Sequence, residues 1–258
     1  MCDFRYIGSE LDLFAAARKW KAYWADQVKP FFAGDVLEVG AGIGSNTPFL
    51  DTKGTGRWVC LEPDAQQATT LARNLHAIAG SRGYETICGT IESLAGQGFD
   101  TIIYVDVLEH VERDRAELDV AASLLRRGGH LIVLAPAHRW LFTSFDAAIG
   151  HYRRYNRSML RDISPSGLQI KRVRYLDSVG LTASAANLLI LRQAMPRQSQ
   201  LRLWDRWIVP VSRVLDKLLL YSIGKSILVV WHRPWAPSES LERNSAVGGR
   251  ARLKSPQE

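Results

Sequence analysis

The chain has 258 residues, 47% of them hydrophobic, enough to bury a large core as one α/β domain or as one domain with an appendage. Its three cysteines, Cys2, Cys60 and Cys88, have the spacing of neither a zinc cluster nor a disulfide framework, and a reducing compartment is the simplest setting. The net charge of +7 is uneven: 14 Lys and Arg stand against 19 Asp and Glu through Gly150, and 19 against 7 from His151 onward.

The first part is therefore −5 and the second +12. A basic C-terminal part can meet an anionic lipid surface, an acidic small molecule or nucleic acid, or be a solvated surface. No zinc-finger spacing or nucleic-acid module signature is present, so no nucleic-acid partner is expected. The opening MCDFRYIGSE places acids ahead of any long apolar run, unlike a secretory signal, and no apolar run of about 18 residues is available to span a bilayer.

In chain order, Leu11 to Val28 reads as one helix stopped near Pro30, part of an N-terminal helical cap over residues 1–33. VLEV, Val36 to Val39, is the first strand, and GAGIG turns it into a helix expected to begin near Ser45. Strands follow at Arg57 to Leu61, Tyr84 to Cys88, from Phe99, and at HLIVLAPA ending at Pro136. Helices are expected over Ala65 to Ala79 and Asp114 to Arg127, the latter closed by Gly128 and Gly129. A sixth strand centres on Val173 to Leu176 and a seventh on Ser226 to Trp231. Strands alternating with helices predict an α/β fold, a mostly parallel sheet covered on both faces. Residues 34–180 form its core, residues 181–224 a helical lid or insertion in the same domain, and residues 225–235 the last strand. The Ser-, Gly-, Pro- and charge-rich segment 236–258 reads as a disordered tail.

The three glycines Gly40, Gly42 and Gly44 lie at a strand-to-helix turn, where a missing side chain lets backbone approach a ligand. A dinucleotide fingerprint would place its third glycine at Ser45, so phosphate binding is not the preferred reading. Glu62 ends the second strand, where a carboxylate can accept both ribose hydroxyls. Together these residues specify an adenosine ligand better than either does alone.

EVGAGIG at Glu38 to Gly44, LEPD at Leu61 to Asp64, YVDVLEHV at Tyr104 to Val111 and GHLIVLAP at Gly129 to Pro136 resemble class I S-adenosylmethionine-dependent methyltransferases over about residues 34 to 136. The resemblance implies a Rossmann-like seven-stranded sheet with the last strand antiparallel, helices on both faces, and S-adenosyl-L-methionine as cofactor, leaving as S-adenosyl-L-homocysteine. It implies that Gly40, Gly42 and Gly44 lie beside the methionine moiety with Glu38 supporting the loop. Glu62 and Pro63 fall at the ribose, Thr90 and Ile91 at the adenine, and Asp106 and Val107 at the methionine end.

Methyl transfer to a weakly acidic nucleophile needs orientation and a base. His110 is the candidate base, sharing a face with Asp106 and Glu109 if a helix begins early; its alternative role is a hydrogen bond within the cofactor loop. The same grouping resembles a metal-binding stretch of some quinone-pathway O-methyltransferases, but a hard divalent ion needs more oxygen ligands, and no metal is expected. His138, His151, Arg153, Arg154 and Tyr155 follow the fifth strand and are the candidate acceptor-binding residues, with the arginines as forks for an acidic group or as salt bridges joining the insertion to the sheet. Trp204, Trp207, Arg206, Arg213 and Lys217 suggest an amphipathic surface for a greasy acceptor or a membrane.

The leading expectation is methylation of a small organic acceptor, a secondary metabolite or biosynthetic intermediate, O-directed by family frequency. That acceptor would carry an acidic group on an apolar body. The alternatives are a prenylated or lipid-linked acceptor at the membrane surface, and a noncatalytic cofactor-binding scaffold. The expected setting is cytoplasmic, with peripheral contact at the inner face of the membrane under the second reading.

Overall fold

The computed structural model describes residues 10–52, 54–78, 83–186, 188 and 198–235. Seven strands, β1 (Gly34–Val39), β2 (Thr55–Glu62), β3 (Glu85–Cys88), β4 (Phe99–Val105), β5 (Leu125–Pro136), β6 (Gln169–Leu176) and β7 (Ser226–His232), form one sheet in the order β3-β2-β1-β4-β5-β7-β6. β1 to β5 pair in parallel, and β7 runs antiparallel to both β5 and β6. This is the seven-stranded α/β sheet that the resemblance implied, with the last strand reversed.

Central strands read as continuous apolar runs because both sheet faces are covered. Leu37 and Val39 join one core with Leu61, Tyr104 and Val133, whereas Val36 points to the other, with Trp58, Ile103 and Ile132. The first core is closed by α5 (Asp114–Leu124) through Leu118, Ala121 and Leu124. The second is closed by α2 (Arg18–Val28) through Trp20, Tyr23 and Trp24, and by α4 (Ala65–Ile78) through Leu71 and Leu75. Asp64 caps α4 by accepting from the amides of Gln66 and Gln67 at 2.8 and 2.9 Å, satisfying two of the donors that a helix start leaves open.

Several boundaries differ from the sequence expectation. The first helix is two, α1 (Glu10–Ala15) and α2. The helix after the glycine turn, α3, starts at Thr47 and ends at Leu50. Helix α5 stops at Leu124, and β5 begins at Leu125 because the next residues are held by the chain beyond β7: the Gly128 amide donates to the Arg233 carbonyl at 2.7 Å, and a Cβ at Gly128 would collide with the Trp235 indole. Cys88 is disulfide-bonded, against the expectation of no disulfide, and its partner lies outside the described residues; Cys60 is a free buried thiol.

After β5 come α6 (Ser144–Ala148) and α7 (Arg157–Asp162), and the insertion before β7 contains α8 (Ser178–Ala186), α9 (Gln198–Leu203), a π turn (Trp204–Ile208) and α10 (Val209–Leu218). It is pinned to the sheet by two fully buried carboxylates. Asp216 accepts from the Tyr23 hydroxyl at 2.6 Å and from the amides of Asp177 and Ser178. Asp177 accepts from Ser212, Trp204 and the Gly180 amide, and Lys225 Nζ lies 3.7 Å away. Residues 189–197 of the insertion and the tail from Ala236 lie outside the described residues, as do their expected structures.

Candidate active site

Three parallel strands end in residues with left-handed backbone: Asp106 after β4 (φ 53°), His138 after β5 (φ 67°) and Asp177 after β6 (φ 66°). Such conformations cost about 1 to 3 kcal/mol in a residue other than glycine and gather where side chains are aimed at ligands. The C-terminal strand ends of an open α/β sheet are also where its ligands bind.

The glycine loop leaves β1 at this edge. Gly40 has φ 64°, and a Cβ there would lie 2.6 Å from a Val107 methyl; Gly44 is filled in the same way by Leu71. Gly42 differs. Its φ is 56°, and a Cβ would only touch Leu11 of α1 at 3.7 Å and Gln67 Oε1 at 3.8 Å, so the glycine is required by the left-handed backbone and not by a clash. Its amide donates to Glu62 Oε2 at 2.8 Å, and the Asp64 amide donates to Oε1 at 3.1 Å. Each Glu62 oxygen keeps a lone pair for a further donor. Burial raises the Glu62 carboxyl above its ordinary range, and these amides oppose the rise.

Behind the loop, Glu38 accepts from the Thr47 hydroxyl at 2.8 Å. Burial pushes its carboxyl up to about 7 against that bond. Lys21 of α2 reaches over the loop, donating to Ser45 Oγ at 2.6 Å and to the Ser45 carbonyl at 3.1 Å, and burial lowers its ammonium to about 8. After β3, Thr90 is exposed and Ile91 is buried. The turn is tied to the ribose-side carboxylate's residue by the Gly89 amide, which donates to the Glu62 carbonyl at 3.1 Å. Glu62, with a lone pair free on each oxygen beside the Gly42 turn, fits the ribose of an adenosine-bearing ligand.

Beyond β4, Leu108–His110 is one 3-10 turn. It separates the face expected of Asp106, Glu109 and His110: Asp106 is exposed, whereas Glu109 is fully buried. Neither Glu109 carboxylate oxygen has a hydrogen-bond partner among the described residues, and burial, then the Asp106 charge, raises its carboxyl well above the usual range. The His110 and His151 rings meet edge to face at 4.5 Å. Burial and then the neighbouring His151 lower the His110 imidazole to about 4, so it is neutral at pH 7. One ligand atom each from Glu109, His110 and His151 lies within 4.8 Å of the others, a grouping that could hold a metal ion.

His151 is set by Asp146, a fully buried residue of α6 (Ser144–Ala148). Its Nδ1 lies 2.9 Å from Asp146 Oδ1, which leaves Nε2 directed toward Glu109, 3.8 Å from Oε1. Asp146 also takes Arg154 as a fork, Nε at 2.8 Å and Nη2 at 3.0 Å, and accepts from the Thr143 amide and hydroxyl. Burial alone would raise the Asp146 carboxyl, but the bonds from His151 and Arg154 outweigh it and hold the group well below the usual carboxylate range. Arg153 pairs with Asp114 at 2.6 Å and donates to the Glu112 carbonyl. Tyr155 is fully buried, its hydroxyl donating toward Asp114 and the Leu108 carbonyl. His138 stacks on Tyr175 at 5.0 Å and bonds the Gly224 carbonyl.

Of the residues singled out in the sequence, Glu109, His110 and His151 thus come together at the turn after Val107, which packs on Gly40. Arg153, Arg154 and Tyr155 are taken up in internal pairs with Asp114 and Asp146, which lie in α5 and α6 and not in the insertion, so these salt bridges do not join the insertion to the sheet. Asp146 and Lys21 were not anticipated. The TSFD capping box at Thr143 to Asp146 was the available signal for the first, and Lys21 carries none because its partner is a loop 24 residues away.

A methyltransferase domain family matches residues 37–131. Two ubiquinone biosynthesis O-methyltransferases are similar. The chain is 32% identical to that of Parvibaculum lavamentivorans over 49% of each chain, and 30% identical to that of Idiomarina loihiensis over 62% of this chain and 66% of the relative. The chain thus spans about half the length of the first and two-thirds of the second. Among solved structures, an S-adenosylmethionine-dependent methyltransferase from Clostridium acetobutylicum superposes with a TM-score of 0.56 at 10% identity, over 85% of this chain and 92% of its own. The [4+2]-cyclase SpnF superposes at 0.58 with 16% identity, over 83% and 82%. The reversed seventh strand, the glycine loop braced by Glu62 and the matching domain family agree: residues 37–131 carry a methyltransferase domain within a class I S-adenosylmethionine-dependent methyltransferase-like fold, whose cofactor the glycine loop and Glu62 fit.

Proposed function

We propose that this protein is an enzyme that transfers a methyl group from S-adenosylmethionine to a hydroxyl oxygen of a small organic acceptor. The observation that carries the reading is the pair of imidazoles, His110 and His151, set face to edge at the turn after Val107, which packs on Gly40, with His151 between the buried carboxyls of Glu109 and Asp146. The names of both curated relatives support an oxygen acceptor.

Gly40, Gly42 and Gly44 would hold the methionine end with Val107 packed beneath, Glu62 and Pro63 the ribose, and Thr90 and Ile91 the adenine. When bound, the cofactor supplies an electrophilic methyl on a sulfonium, which leaves as a neutral thioether. The chain's own residues do the rest. His110, neutral at pH 7, takes the hydroxyl proton on a ring nitrogen as the acceptor oxygen becomes the nucleophile. Asp146 fixes the tilt of His151 through Nδ1, so that its Nε2 is directed toward the Glu109 carboxyl and its ring packs on His110. Asp106 lines the methionine end. Arg153 and Arg154 act from behind as positioning groups, through Asp114 and Asp146, and His138 and Tyr155 hold the strand ends that carry this wall. No metal is required for this chemistry.

The test is incubation with methyl-labelled S-adenosylmethionine and matched aromatic acceptors bearing a hydroxyl, an amine or neither. Label in the hydroxyl compound, unaffected by chelator, is expected. Label only in the amine would overturn the oxygen assignment, and loss on chelation restored by a divalent ion would move Glu109, His110 and His151 from base to ligand. No label in any acceptor despite tight cofactor binding would favour the scaffold reading, for which SpnF shows that this fold is not tied to methyl transfer by name.

A further inference from the structure

Helices α9 and α10 run into one another through the π turn, giving one continuous helix over residues 198–218, about 30 Å long. Its inner side is spent on the fold: Leu201, Trp204, Val209, Ser212 and Asp216 are buried. Its outer side carries Leu203, Trp207, Val211, Val214 and Leu218 at spacings of four, four, three and four, each between 51 and 73% exposed. Leu220, 83% exposed, extends this apolar strip past the helix end. An unpartnered apolar strip of this length is not a routine surface.

The charges beside it identify what covers it. Arg202, Arg206, Arg213 and Lys217 are all exposed on the same helix. Lys19 of α2 joins them, its Nζ donating to the Arg206 carbonyl at 3.0 Å. Of the nearby acids, Asp205 is taken up by the amides of Lys19 and Trp20, and Asp26 by Arg213. A second copy docking face to face would set this cationic patch against the same cationic patch, since a two-fold interface uses one surface on both subunits. An anionic bilayer satisfies both features at once, the apolar side chains entering the acyl boundary while Arg and Lys stay at the headgroups.

We propose that the outer face of helix 198–218 docks this protein on an anionic phospholipid bilayer, with the helix lying in the interface plane. Among the described residues no helix is long and apolar enough to cross a membrane, so the contact is with one leaflet. The insertion's buried carboxylate Asp177 couples this helix to the sheet edge that bears the active site, through Trp204 and Lys225. A docked insertion therefore holds that edge near the lipid surface.

The test is co-sedimentation of the full chain with phosphatidylcholine vesicles and with vesicles also containing phosphatidylglycerol. Binding is expected only to the anionic vesicles, falling as salt is raised. Trp207→Ser with Leu218→Ser should weaken it by about tenfold or more, and Arg206→Gln with Lys217→Gln by about tenfold. Both double variants should keep the wild-type melting temperature and S-adenosylhomocysteine affinity. Should the apolar pair fail to fold, the surface charge pair decides alone. No vesicle binding at low salt, binding that ignores both pairs, or a dimer in sedimentation velocity that the apolar pair dissolves would overturn the proposal. The S-adenosylhomocysteine titration reads the methyltransferase assignment independently, so either can fail without the other.

Discussion

Replacing His110 and His151 together by alanine is expected to lower kcat by about 10²-fold to 10⁴-fold, the range for a lost general base, with S-adenosylhomocysteine affinity nearly unchanged. The single variants should not add, because the two rings touch and act as one unit. The pH dependence gives a separate readout. Burial lowers His110 to about 4, so the acidic limb of kcat/KM should fall near pH 4 to 5, below the 6.5 of an ordinary imidazole. The same depression means the unfolded chain takes the proton first, so this group's contribution makes stability fall as the pH drops from 6.5 towards 4. Cofactor affinity collapsing in step with turnover would instead place His110 in the cofactor loop.

Asp216→Ala should be the most destabilising substitution in the insertion. It strands the Tyr23 hydroxyl and the amides of Asp177 and Ser178 without an acceptor in a fully buried place. Removing one member of such a buried network costs about 3 to 5 kcal/mol, a fall in melting temperature of about 10 °C in a chain of this size. Asp216→Asn keeps the shape and one acceptor oxygen and should lose less. A thermal melt checks both; a change below about 1 °C in the alanine variant would mean the insertion is not held through this carboxylate.

Much of the fold was legible because central strands buried on two faces leave unbroken apolar runs, such as IIYV before Asp106 and LIVLA before Pro136. What was misread lacked punctuation. AAARK carries no Gly or Pro to mark the break between α1 and α2. LLRRGGH looks like a helix ending in glycines, yet Gly128 is a strand residue chosen by the Trp235 indole against it, a contact 107 residues distant. In the site, EVGAGIG and LEPD announce themselves because backbone geometry demands them locally. The acid that holds His151 and Arg154 does not: Asp146 binds them, five and eight residues on, by a loop that follows no period. Arginines that read as ligand forks were therefore already paired.

The central claim, that Glu62 and the glycine turn at Gly42 hold the cofactor, is tested most directly by calorimetry with S-adenosylhomocysteine. The wild-type chain should bind it and not NAD. Glu62→Ala removes a buried acceptor for two hydroxyls and should weaken binding by about 100-fold, and Gly42→Arg should abolish it by driving a long side chain into the loop beside Leu11 and Gln67. Unchanged affinity in both variants, each melting like the wild type, would contradict the account.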